Sequence, residues 1–213
     1  MKLAISSSIR EETDRVTGTL KKSEWYAKNG YRIRLPAGLD PGRRYRKTDI
    51  ERAVRKEFHK LERDAYAMRL RKRFAVVGKR FQAALDRHSI PHLKTYRVRL
   101  TGYGVGGSYH PPDRIVVNIA RPVGRAAKTV CHEIIHLIIH RQIERHKIPH
   151  WDKERIVDLT MRKIFGRAYH VQDIRGYSKS IDPAFKKYFP DLKAVITSVT
   201  RMTDNRDVLL RDG

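Results

Sequence analysis

Two histidines four residues apart enclose a glutamate in the run His132-Glu133-Ile134-Ile135-His136. On a helix, positions i and i+4 lie about 40° apart around the axis, so both imidazoles can reach one metal ion. Glu133 stands roughly 100° from His132, beside that pair. There its carboxylate can hold a water and take its proton without being a ligand itself. A random chain of this composition would carry the HExxH pattern about 0.02 times, taken as a product of residue frequencies. Burying two imidazoles and a carboxylate in an aliphatic helix only to hydrogen-bond them is costly, so the expectation is a bound metal.

A catalytic zinc site takes three protein ligands and leaves one position open. Two residues further on are candidates for the third. Glu154 follows His136 after a gap of 17 residues and opens the run Glu154-Arg155-Ile156-Val157-Asp158. At i and i+4 the two carboxylates face the same way: one can bind a metal while the other accepts a hydrogen bond from a ligand histidine. His150, fourteen residues after His136, is the rival. His140 and His146 continue the first run, but His140 is turned about 80° from His132 and is expected at the surface or behind the ligands. The single cysteine, Cys131, excludes a disulfide framework and a multi-cysteine zinc site. It is expected as a small buried residue.

These residues need two helices to present them and a sheet to back them. From about Val123 to Arg145, Val130, Ile134, Ile135, Leu137, Ile138 and Ile139 cover nearly every side, as a helix inside the protein does. A turn at Lys147 to His150 precedes a second helix from Trp151 to about Phe165. Upstream, alternation at Tyr96, Val98 and Leu100 and the apolar run Arg114 to Ile119 are expected as strands, joined by a glycine-rich connection from Gly102 to Pro112. Before them, Thr48 and Glu51 form a capping box ahead of an apolar stripe at Ile50, Val54, Phe58, Leu61, Ala65 and Met68. The stripe resumes at Leu70, Phe74, Val77, Phe81 and Leu85, with Gly78 marking a bend. Residues 1–47 are the least patterned, with one strand expected at Tyr31 to Leu35, ended by Pro36. After Gly166 the pattern weakens, apart from a short helix around Pro183 to Tyr188.

HExxH followed on a second helix by ExxxD resembles the arrangement of the gluzincin zinc metallopeptidases. The shortness of the matching stretch, about Tyr96 to Phe165, is most similar to the minigluzincins. The resemblance implies an α+β, zincin-like fold: a small mixed sheet packed on a backing helix and a buried active-site helix, followed by a glutamate helix. It implies His132, His136 and Glu154 as zinc ligands, Glu133 as general base and acid, and Asp158 as the partner of His132. The family's strand ahead of the active helix lines the cleft and can pair with a peptide. Here that rim is Tyr103 to Asn118, where Gly104, Gly106 and Gly107 allow either a close backbone approach or a plain flexible turn. The transition-state donor is unmarked, with Tyr169, His170 and Tyr177 as candidates. A metzincin is excluded, because Ile139 and Gln142 stand where that class needs glycine and histidine.

On this reading residues 1–47 are an N-terminal extension with a short strand. Residues 48–180 form the zincin-like metallopeptidase domain, with basic backing helices over 48–88 and the sheet and active-site helices over 93–166. Residues 181–213 form a C-terminal segment able to cover the cleft, where Asp204, Asp207 or Asp212 could enter a metal site.

Charge adds a second theme. The 213 residues carry a formal net charge of +24 with 40% hydrophobic content, a globular composition rather than a basic tail. From Arg43 to Leu100 there are 19 basic and 6 acidic residues, so 19 − 6 = 13 of the surplus charges sit there. That density suggests nucleic acid or another polyanion as a partner of the 43–100 region. With no apolar run long enough for a membrane span and an N-terminus unlike a signal peptide, a cytoplasmic location is expected. The leading function is a zinc-dependent metallopeptidase acting on a peptide or protein substrate. One alternative is a DNA-associated protease of the Spartan type, with His150 as third ligand. Another is a nucleic-acid-binding protein with a non-catalytic zinc site.

Overall fold

The sheet takes its outer strand from the N-terminus. In the computed structural model, which describes residues 1–169, 171–172 and 176–209 (168 and 201–209 as backbone alone), β1 (Lys2–Ser6) pairs in parallel with β2 (Thr95–Thr101). β2 pairs in parallel with β4 (Arg114–Asn118), and β3 (Gly107–His110) closes the far edge antiparallel to β4. The order is β1-β2-β4-β3. Tyr96, Val98, Leu100, Ile115, Val116 and Val117 are buried: β2 buries mainly one face and β4 most of its length, as an alternation and an apolar run predict. With eight helices among the described residues, the chain is α+β. None of those helices is long and apolar enough to cross a membrane.

Two compact units divide the chain. The first comprises Met1–Lys79 and Leu93–Glu133. It holds the sheet with α1 (Ile9–Lys21), α2 (Ser23–Lys28) and α3 (Lys47–Glu57). It also contains most of α4 (Lys60–Arg87) and the first half of α5 (Val123–Arg145). Val16, Ile50, Val54 and Tyr103 form one of its cores. The second unit comprises Arg80–His92 and the described residues from Ile134 on. It adds α6 (His150–Phe165), α7 (Ile181–Tyr188) and α8 (Leu192–Leu209). Phe81 stacks on Phe165 there, with ring centroids 6.1 Å apart. A two-pronged Arg155–Asp182 pair, at 2.8 and 2.5 Å, ties α6 to α7.

Several expectations change. Tyr31 to Leu35 is not a strand: it contributes one bridge, Arg34 to Gly104, while α1, α2 and β1 fill the segment that lacks pattern. The capping box at Thr48 and Glu51 does not form, because α3 begins at Lys47 with no side-chain cap. Helix α1 is capped by Ser8 instead, whose Oγ accepts from the Glu11 N–H at 3.2 Å and donates to the Glu11 carboxylate. The backing stripe is broken at Phe58 and His59, and α4 continues through Gly78. Phe58 leaves the helix so that its ring lies under the Arg63 guanidinium, 4.6 Å from the centroid. Gly78 instead makes room, since a Cβ there would stand 2.6 Å from the Phe74 ring. Leu61 and Met68, assigned to the buried stripe, are exposed. Asp212 lies outside the described residues, and the side chains of Asp204 and Asp207 are not described.

Candidate metal centre

Helix α5 runs through the HExxH motif without interruption, its middle turns enclosed by Val130, Cys131, Ile134, Ile135 and Ile139, all buried. Burial pushes the Cys131 thiol well above its ordinary pKa, so this cysteine is an inert core residue. One turn of helix separates His132 from His136, and α6 delivers Glu154. His132, His136 and Glu154 form a buried group whose ligand atoms all lie within 4.8 Å of one another. His136 Nε2 is 3.3 Å from Glu154 Oε1. Donor atoms around a tetrahedral zinc, at bond lengths of 2.0–2.1 Å, are about 3.4 Å apart, so this pair is already at ligand spacing. Two imidazoles and one carboxylate are also a donor set that suits zinc. His150 is not in the group. It opens α6 and meets Trp151 edge-on at 4.6 Å, and burial lowers its pKa against the raising effect of Glu154.

Both oxygens of Glu154 are held. Gln172 Nε2 donates to Oε2 at 3.4 Å, while Lys153 Nζ stands 3.7 Å from Oε1. Asp158, one turn further along α6, is fully buried. Its Oδ1 accepts from the Tyr169 hydroxyl at 2.9 Å and its Oδ2 from the Gln172 backbone N–H at 2.7 Å. Gln172 Nε2 also lies 3.3 Å from Asp158 Oδ1, so one glutamine ties the two carboxylates together. Of the donor candidates, Tyr169 is therefore placed beside the glutamate helix. Tyr177 lies under the Arg155 guanidinium at 4.8 Å, and His170 lies outside the described residues.

The glycine-rich rim turns out to be a close approach, made to the chain's own charged side chains. A Cβ on Gly107 would stand 2.6 Å from Glu133 Oε1 and 2.5 Å from Thr129 Cγ2, so the edge strand β3 rests its backbone on the Glu133 carboxylate. A Cβ on Gly104, whose φ is +73°, would meet Arg15 Nε at 2.6 Å, and one on Gly106 would collide with the Arg121 guanidinium. Arg15 Nη1 donates to Ser108 Oγ at 3.2 Å. Burial lowers the pKa of its guanidinium, opposed by Tyr26, Glu133 and Glu12.

Arg15, Lys153 and Gln172 are the residues that sequence reasoning does not find. Arg15 and Ser108 are 93 positions apart, and Gln172 reaches the carboxylates from an unpatterned segment. Only Lys153 carries a local signal, its adjacency to Glu154. No protein-family model, no curated protein and no solved structure matches the chain, so the group is interpreted from its own geometry.

Proposed function

We propose that this chain is a zinc-dependent metallopeptidase with a zincin-like, gluzincin-type site, closest in build to the minigluzincins. His132, His136 and Glu154 hold the metal, and Glu133 moves the proton. The convergence of two histidines and one carboxylate at ligand spacing, with Glu133 between His132 and the rim strand, carries the reading.

A zinc ion held there would supply a Lewis acid that polarises a peptide carbonyl and acidifies a water. The rest is done by the chain. Glu133, 6% exposed, is the carboxylate placed to serve as the base. It takes a proton from the attacking water and hands it to the departing amine nitrogen. β3, at the end of the sheet, offers a peptide an edge to pair with in extended form, and its Gly107 backbone lies at Glu133. Gln172 fixes the Oε2 side of Glu154, which orients Oε1 toward His136.

Metal content of three variants tests the reading. Glu154→Ala is expected to lose zinc and His150→Ala to keep it; the reverse would transfer the third ligand to His150 and favour the Spartan-type alternative. Glu133→Gln is expected to keep zinc and to lose peptide hydrolysis by ~1,000-fold or more. Undiminished hydrolysis in that variant would remove Glu133 from the chemistry.

A further inference from the structure

The peptidase reading uses none of the surplus charge, and α4 is where that charge is least compensated. Between Asp64 and Asp86 the sequence has no acidic residue and six basic ones: Arg69, Arg71, Lys72, Arg73, Lys79 and Arg80. Two are engaged by the fold, Arg71 with the Ile5 carbonyl and Arg80 with the Phe165 carbonyl, each at 3.4 Å. The other four are exposed, and among the described residues none has an acidic partner within 4.0 Å. The contrast lies nearby, where Lys60 pairs with Asp64 and Arg55 with Glu51 one turn away.

Helical geometry sets the four in one strip. At 100° and 1.5 Å per residue, Arg69, Lys72, Arg73 and Lys79 occupy an arc of about 120° and a length of about 15 Å. The core face of α4 adjoins this arc on the Arg73 side, with Tyr66, Leu70, Val77 and Phe74 buried. We propose that this outer arc of α4 is a docking surface for the phosphate backbone of a nucleic acid.

Charge complementarity selects the class of partner, and composition selects nucleic acid over lipid. A helix that lies in a membrane interface buries a broad apolar face, often with aromatic residues, in the lipid. The apolar face of α4 is already committed to the core, and the arc itself offers only Val76, with Leu61 and Met68 along its margin. Two arginines and two lysines fit phosphodiesters instead: the guanidinium fork takes two oxygens of one group and the ammonium acts as a point charge. The four cations are assigned to phosphates, which carry no sequence information, so binding is expected to be independent of sequence.

The test is the salt dependence of binding to a short mixed-sequence DNA duplex, followed by fluorescence anisotropy with the full chain. Four phosphate contacts contribute a slope of about −3.6 in log K against log salt. Replacing Arg69, Lys72, Arg73 and Lys79 together by Gln is expected to flatten the slope by about that amount, and to weaken binding by ~100-fold at low salt. A control removes the same number of charges from exposed positions elsewhere: Lys21→Gln, Lys28→Gln, Arg43→Gln and Arg44→Gln. Its slope is expected to stay near that of the unaltered chain. Equal losses in both variants would assign binding to net charge and overturn the proposal. So would an unchanged affinity in the α4 variant, or tighter binding to phosphatidylserine vesicles than to duplex. Zinc content and peptide hydrolysis are expected to be unchanged in both variants, so this surface and the peptidase reading fail or survive separately.

Discussion

Two buried clusters of charge, built from similar parts, behave in opposite ways. In the first, Glu12 on α1 and Arg63 on α4 pair with 0% and 4% side-chain exposure. Glu12 Oε1 also accepts from the Gly102 N–H at 2.8 Å, and Oε2 from the Thr101 hydroxyl at 2.5 Å. Arg63 reaches Ser7 and covers the Phe58 ring. Donors and acceptors balance, and the knot ties α1, α4 and β2 together. In the second, Glu154 and His136 are equally enclosed, but an imidazole nitrogen and a carboxylate oxygen approach each other beside a second imidazole. Those atoms are electron-pair donors when the histidines are neutral, and such atoms converge where a cation belongs. Burial of charge is common to both; the imbalance of donors distinguishes a candidate site from a structural tie.

The sharpest way to break this distinction is to remove one carboxylate from each cluster. Glu154→Ala should abolish zinc retention and lower peptide hydrolysis by ~1,000-fold or more, and should cost the metal-free protein less stability than the loss of Glu12 does. Glu12→Gln should do the reverse. Breaking a buried ion pair by removing one partner costs about 3–5 kcal/mol, which urea unfolding would register, and metal stoichiometry should remain that of the unaltered chain. If Glu12→Gln shed metal, or Glu154→Ala unfolded the protein without metal loss, the two clusters would not differ in kind.

A smaller effect sharpens the comparison within the second cluster. Gln172 bridges Glu154 and Asp158 but is itself exposed. Its loss should therefore act on the ligand set and not on folding. Outer partners of metal ligands typically contribute about 10–100-fold in affinity. Gln172→Ala, with two side-chain contacts above 3 Å, is expected at the low end, about tenfold by competition with a zinc chelator. An unchanged affinity would reduce the bridge to a surface contact.

How much of this the sequence reveals follows from where each signal is written. The HExxH and ExxxD runs are local: five residues on one helix place two imidazoles together, and the helix is recognisable because its neighbours are aliphatic. The N-terminal segment hides for the opposite reason. The buried positions of α1 are Glu12, Thr13, Val16 and Thr19, and the threonine hydroxyls bond back to carbonyls one turn earlier, Thr13 to Ile9 and Thr19 to Arg15, both at 2.8 Å. A helix that buries a charged residue and threonines has no apolar period to detect. β1 is five residues long and gains its place by pairing with Thr95 to Arg99, across about ninety positions. The rim glycines were visible, but what fills the space beside each one is a charged head group from a distant segment.

The rim also supplies the smallest test, because it is a region of charge imbalance with the opposite sign. His110, on β3, has its pKa pushed down to about 4, first by burial and then by Arg114, Arg15, Lys22 and Arg99. An unfolded histidine titrates near 6.5. Between those values the unfolded chain binds a proton that the folded chain refuses, so stability falls as pH drops from about 6.5 to about 4, and this group adds no slope outside that window. A shift of this size is worth about 3 kcal/mol for a fully enclosed ring, and solvent screening at a half-buried one reduces it to about 1 kcal/mol. Chemical unfolding of the unaltered chain and His110→Gln, at pH 7 and at pH 4.5, isolates the contribution, because the carboxylates titrate alike in both. The unaltered chain should lose about 1 kcal/mol more than the variant over that interval. Parallel losses would mean that neither burial nor the rim cations hold His110 in its neutral form.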